Sequence, residues 1–96
     1  MTKKVFVSGC FDLLHSGHVA FLKTAASFGE LYVGVGRDAS RLLQQGKARP
    51  VNHEDERLFM VQSLRYVKRA WLLDGMGTMD FVEDLEALRP DFFIVN

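Results

Sequence analysis

A doubly wound α/β fold, with a parallel sheet of order 3-2-1-4 between helices in a three-layer α/β/α arrangement, is what this sequence predicts, on three observations. Four short apolar runs alternate with three stretches of helical apolar spacing, and such alternation gives parallel strands joined by right-handed crossovers. The first and fourth runs, Val5-Phe6-Val7 and Phe92-Phe93-Ile94-Val95, are the most continuously apolar, which pairs them side by side as strands covered on both faces. The first run ends in a glycine-bracketed turn that opens a helix, so this strand stands at the switch point of the sheet, where ligands of such folds bind.

Taken in order, Lys4 to Ser8 is a buried strand stopped by Gly9. From Gly17 to about Phe28, Val19, Leu22, Ala25 and Ala26 recur at helical spacing, with Ser16 as the expected N-cap and Gly29 as the stop. Leu31 to Gly36 is the second strand. Its Gly34 and Gly36 fall short of a dinucleotide fingerprint, since the third glycine is absent, and backbone packing accounts for them better. Asp38 to Gln44 has the makings of a helical turn before Gly46, and residues 44–50 suit either a plain solvated loop or a mobile basic loop that folds over a phosphate. Asn52 is the expected cap of a helix with Glu54, Asp55 and Glu56 in its first turn and Leu58, Val61 and Leu64 as its apolar stripe. His53, among those carboxylates, is expected on the surface. Arg69 to Leu73 is the third strand. Thr78 or Asp80 caps a last helix with Phe81, Val82, Leu85 and Leu88 on one face, Glu83, Asp84 and Glu86 on solvated faces, and Pro90 as its end. Asp91 to Asn96 is the fourth strand.

Ninety-six residues, 48% hydrophobic and 25% charged, make one globular domain with a modest core. No apolar run reaches the length of a membrane span, the N-terminus has no signal-peptide pattern, and the single Cys10 forms no internal disulfide, so the expected location is cytoplasmic. Net charge is zero but unevenly spread. Residues 1–50 hold seven Lys/Arg against three Asp/Glu, and residues 51–96 hold five against nine. A basic excess around the glycine turn suits a small anion, whereas a nucleic-acid binder would carry a broader basic face.

The turn is built for a phosphate. Gly9 lets the backbone leave the strand sharply and a ligand come close, Gly17 keeps a side chain off the first helical turn, and the helix start attracts an anion. His15 and His18 flank the same spot, either as donors to the phosphate or as side chains that merely cap or pack. Cys10 with these histidines has a Cys-x4-His-x2-His spacing that is no familiar zinc pattern, so no metal site is expected. Asp12 is expected to fix the turn through backbone N–H groups. Asp38, after the second strand, faces either a ribose or nothing.

The stretch Gly9-Cys10-Phe11-Asp12-Leu13-Leu14-His15-Ser16-Gly17-His18 resembles the G-x-F-D-x-x-H-x-G-H signature of the cytidylyltransferase-like nucleotidyltransferases at every position. Arg49-Pro50-Val51-Asn52 followed by Glu56-Arg57 is similar to the segment after the second strand in sugar-phosphate members, especially the nucleotidyltransferase domain of ADP-heptose synthase. Glycerol-3-phosphate and ethanolamine-phosphate cytidylyltransferases are similar in the first motif, and the resemblance spans Val5 to Val95. It implies transfer of a nucleotidyl group from CTP or ATP to a phosphorylated sugar or alcohol, with release of pyrophosphate and Mg²⁺ carried on the nucleotide. It implies catalytic roles for His15, His18 and Lys47, and contacts to nucleotide or acceptor from Gly9, Cys10, Phe11, Asp12, Gly17, Arg49 and Arg57. Arg57 offers a fork for bidentate phosphate contact, and Lys47 and Arg49 reach phosphates from the basic loop.

Relatives with this signature continue past the fourth strand into a further strand and helix with an Ile-Ser-Thr-Thr-like motif, which residues 1–96 do not contain. The expectation is therefore a nucleotidyltransferase domain over 1–96 without that end, or else a nucleotide-binding module that has lost catalysis. The nearly wholly apolar fourth strand should then leave an edge bare, and either self-association, as in the homodimers common among similar proteins, or a longer chain would cover it.

Overall fold

The computed structural model describes residues 2–39, 52–75 and 79–95. Strands β1 (Lys4–Gly9), β2 (Glu30–Val35), β3 (Arg69–Leu72) and β4 (Phe92–Phe93) form one parallel sheet, as the alternation predicts, in the order β3-β2-β1-β4, as the apolar continuity of the first and fourth runs predicts. Between them run α1 (Ser16–Ala26), α2 (Glu54–Gln62) and α3 (Val82–Leu88). No helix among the described residues is long and apolar enough to cross a membrane.

The middle of β1 has no polar residue because it has no wet face: Val5, Phe6 and Val7 are at most 1% exposed. One side of the sheet is aliphatic. There Val5, Val7, Leu31, Val33 and Val35 meet Leu22 and Ala25 of α1 and Val61 of α2, with Leu58 and Leu64 packed alongside. The expected stripes of both helices are thus the ones buried, and truncating Leu22 to alanine would cost about 2–5 kcal/mol. The other side is aromatic: Phe6 lies 6.0 Å from Trp71 and 5.6 Å from Phe93 between ring centroids, and Phe81 lies 4.9 Å from Phe93. Gly34 sits on this side, where a Cβ would press on Leu73 and on Phe6 3.1 Å away, so its role is close packing, as expected.

Several element ends differ from expectation. Helix α1 begins one residue earlier than its stripe suggests and ends at Ala26, with His15 rather than Ser16 as its N-cap. The cap of α2 is His53, which makes no side-chain cap bond, because the expected cap Asn52 is engaged elsewhere: its N–H donates to Asp12 and its carbonyl accepts from Arg57. Neither expected cap starts α3. Phe81 does, without a side-chain bond; Asp80 is buried, and Thr78 lies outside the described residues. Arg89 in the left-handed region ends α3 just before Pro90. Asp84 is not on a solvated face: it is 5% exposed and accepts the Trp71 indole N–H at 2.8 Å and the Asp74 backbone N–H at 2.9 Å. These bonds compensate its burial. The fourth strand is two residues long instead of six, and Phe92, packed on Phe28, remains 41% exposed.

Candidate active site

The turn after β1 carries the most strained backbone of the described residues. Phe11 (φ 56°) and Leu13 (φ 51°) both lie in the left-handed region that residues with a Cβ avoid. Each costs on the order of 1–3 kcal/mol, and such strain persists only where the surroundings hold it. What holds it here is the burial of Phe11, whose ring stands edge-on to the His18 imidazole at 5.8 Å, and a set of bonds from behind the turn described below. A Cβ on Gly9 would stand 2.9 Å from the Phe11 ring, so glycine at 9 makes room for that ring.

His15 and His18 cap the helix for one another. The Gly17 N–H donates to His15 Nδ1 at 2.9 Å, and the His15 N–H donates to His18 Nδ1 at 3.1 Å. A capping box usually pairs a Ser or Thr with a Glu; two imidazoles do the work here. With each Nδ1 an acceptor, each neutral ring carries its proton on Nε2. The rings stack with centroids 4.0 Å apart. Burial, and then the charge of His15, push the His18 pKa below the ordinary histidine value. Gly17 is required by the same geometry, because a Cβ there would meet His15 Cε1 at 2.7 Å. The first turn of α1 holds no acidic residue.

Gly9, Cys10, Phe11, Asp12, His15, Gly17 and His18 line one cavity of about 470 Å³, joined by Ser8 and Phe21, which no motif pointed to. Seven of the ten site residues expected from the sequence therefore come together. Lys47 and Arg49 lie outside the described residues, as does the basic loop at 44–50.

Arg57 departs from expectation. Its side chain is fully buried, and its guanidinium fork is turned inward instead of out to a phosphate. Nε donates to the Asn52 carbonyl at 3.1 Å, Nη1 to the carbonyls of Cys10 at 2.7 Å and Gly36 at 2.8 Å, and Nη2 to Asp38 Oδ1 at 2.7 Å. Asp38 is neither idle nor open to a ribose: it pairs with Arg57, accepts the Glu54 N–H at 3.4 Å, and lies 3.6 Å from His53 Nδ1. Burial alone would raise its pKa, but the bonds from Arg57 and Glu54 outweigh it and hold the carboxyl below the usual range. Asp12 accepts the backbone N–H of Asn52 at 3.0 Å, forty positions along the chain, where the expectation is a bond within its own turn. The signal for this cluster in the sequence is faint, since Asp38 and Arg57 stand nineteen positions apart with no pattern to link them.

The family model described as cytidylyltransferase-like matches residues 6–96. The chain belongs to the cytidylyltransferase-like family. Among its cytidylyltransferase-like relatives, the bifunctional protein HldE of Campylobacter curvus (strain 525.92) is 37% identical over 93 residues, covering 96% of this chain and 19% of that protein. HldE of Pseudomonas aeruginosa (strain UCBPP-PA14) is 40% identical over 102 aligned positions, with the same two shares, 96% and 19%. The chain thus spans about a fifth of the length of these curated relatives. A solved structure, the lipopolysaccharide core biosynthesis protein from Thermoplasma volcanium GSS1, is similar with a TM-score of 0.84 and 33% identity, over 97% of this chain and 73% of that one. The parallel sheet of this cytidylyltransferase-like chain is thus a fold that it shares with that solved structure.

Proposed function

We propose that this chain transfers a nucleotidyl group from CTP or ATP to a sugar phosphate or alcohol phosphate, releasing pyrophosphate. The observation that carries the reading is the reciprocal capping of His15 and His18, which ties down both Nδ1 atoms and leaves both Nε2–H groups as donors beside an acid-free helix start. An oxygen of the acceptor phosphate attacks the α-phosphorus in line, the bond from that phosphorus to the bridging oxygen breaks, and pyrophosphate leaves with the electron pair. No protein nucleophile is needed. The site holds both reactants and offsets charge moving toward the β-phosphate, which donors fixed before the reaction do well. The imidazoles donate to phosphate oxygens through Nε2–H while each Nδ1 keeps its bond from a backbone N–H.

Lys47 and Arg49 supply further positive charge, and the nucleotide arrives as its Mg²⁺ complex, since that ion binds mainly through phosphates. A sugar phosphate is favoured over an alcohol phosphate by the resemblance of residues 49–57 to ADP-heptose synthase and by the name of the Thermoplasma protein. The reaction takes place in the cytoplasm.

The test is pyrophosphate release from CTP and from ATP with a panel of phosphorylated sugars and alcohols. Release dependent on one acceptor class supports transfer and names the base. Binding of nucleotide without turnover selects a non-catalytic nucleotide-binding module, and failure to bind either nucleotide refutes both.

A further inference from the structure

We infer that Arg57 is a positioning residue for the nucleotide site: it sets the backbone of the turn that would receive the phosphates, without touching them. The inference rests on the nucleotidyltransferase reading above.

Arg57 is 1% exposed and is the largest fully buried side chain among the described residues. A guanidinium presents five N–H donors in one plane. Here the plane spans three backbone segments: Cys10 just after β1, Gly36 just after β2, and Asn52 leading into α2, with Asp38 as counter-ion. Cys10 is also the residue before Phe11, so its carbonyl fixes the peptide plane at the entry to the strained stretch. That peptide is planar and trans, and the Phe11 N–H therefore points away from Arg57, on the side opposite the held carbonyl. The bonds that fix the strained turn and the bonds that join the ends of β1, β2 and α2 are thus made by one side chain. Asp12, bonded to the Asn52 N–H, ties the turn after β1 to the segment leading into α2 a second time.

Lysine cannot replace this arrangement, because its ammonium is a compact point charge without a planar fork. Arg57→Lys keeps the charge and loses the geometry. Asp38→Asn keeps the shape and loses the charge of the partner, and it carries the test if Arg57→Lys does not fold. Arg65→Lys, at an exposed arginine whose hydrogen bond among the described residues goes to its neighbour Tyr66, is the control.

Each protein is followed by amide ¹H–¹⁵N spectra, first free and then titrated with MgATP and with MgCTP. Arg57→Lys is expected to keep the core signals of Val5, Val33 and Val61, to shift those of Gly9, Phe11 and Gly17, and to weaken nucleotide binding about tenfold or more, equivalent to about 1.4 kcal/mol. Asp38→Asn should move the same signals with a smaller loss, and Arg65→Lys should match the parent. Folded Arg57→Lys and Asp38→Asn proteins with parent-like turn signals and Kd values within twofold of the parent overturn the inference while leaving the nucleotidyltransferase reading intact. A parent chain that binds neither nucleotide overturns that reading, and the inference falls with it.

Discussion

Helices α1 and α2 both begin at the carboxyl end of the sheet, beside the same turn, and their first turns are opposites. That of α1 holds no acidic residue and is capped by two stacked imidazoles. That of α2 holds Glu54, Asp55 and Glu56, and Asp38 reaches across to accept the Glu54 N–H while the Glu54 carboxylate accepts the N–H of Asp38. A helix start carries roughly half a positive charge. In α2 that charge is answered by carboxylates of the protein; in α1 no carboxylate of its first turn answers it, as the proposed anion site requires. Neighbouring helix starts can thus be divided between structure and function by where carboxylates are put.

The largest expected effect comes from removing a donor on the α1 side. His18→Ala should lower turnover by about 100-fold, as loss of a fixed oxyanion donor does, with little change in circular dichroism. A variant that mainly unfolds would make the imidazole a structural cap only. Next, Ser16→Glu gives α1 the acidic first turn of α2. The helix gains about 0.3–1 kcal/mol from its dipole, while nucleotide affinity falls about tenfold from like charge, so the thermal midpoint and Kd both rise. Unchanged affinity would show that no anion binds at this start.

Gly17→Ala tests the glycine between the histidines. Alanine is the better helix former, yet its Cβ would stand 2.7 Å from His15 Cε1 and push the ring off its cap bond, so we expect about a fivefold loss of nucleotide affinity while propensity and the lost cap offset to within about 1 kcal/mol in stability. Equal affinity would mean that the ring position is unimportant.

Acidity should act on the α1 start as well. The folded-state pKa of His18 is lowered, so between that value and the unfolded value near 6.5 the unfolded chain binds more protons. The stabilisation is complete above about pH 6.5 and is lost as pH falls through the folded value. For Asp38, also lowered, the corresponding loss comes only below about pH 4. Urea titrations from pH 7 to 5 should show a downward slope that His18→Ala reduces; an identical slope would assign it elsewhere. The smallest effect belongs to α2: Glu56→Gln, at an exposed position with two other acids in the turn, should change stability by no more than about 0.5 kcal/mol in thermal unfolding and leave nucleotide binding alone.

The alternation of apolar runs determined the parallel sheet, because each run is too short to be a helix and each needs a crossover. The continuity of Val5-Phe6-Val7 determined that β1 is central, because only a strand buried on both faces dispenses with polar alternation. The ten-residue motif determined which side chains meet at the cavity, since a turn joining a strand to a helix brings its own residues together whatever surrounds it. Only the tertiary structure decided the roles of Arg57, Asp38 and Asp84. A charged residue at helical spacing looks solvated in a sequence, and its burial depends on partners far along the chain: Cys10 and Gly36 for Arg57, and Trp71 for Asp84. The left-handed backbone at Phe11 and Leu13 was hidden for the same reason, because neither residue favours that conformation locally and the contacts that hold it come from α1 and α2.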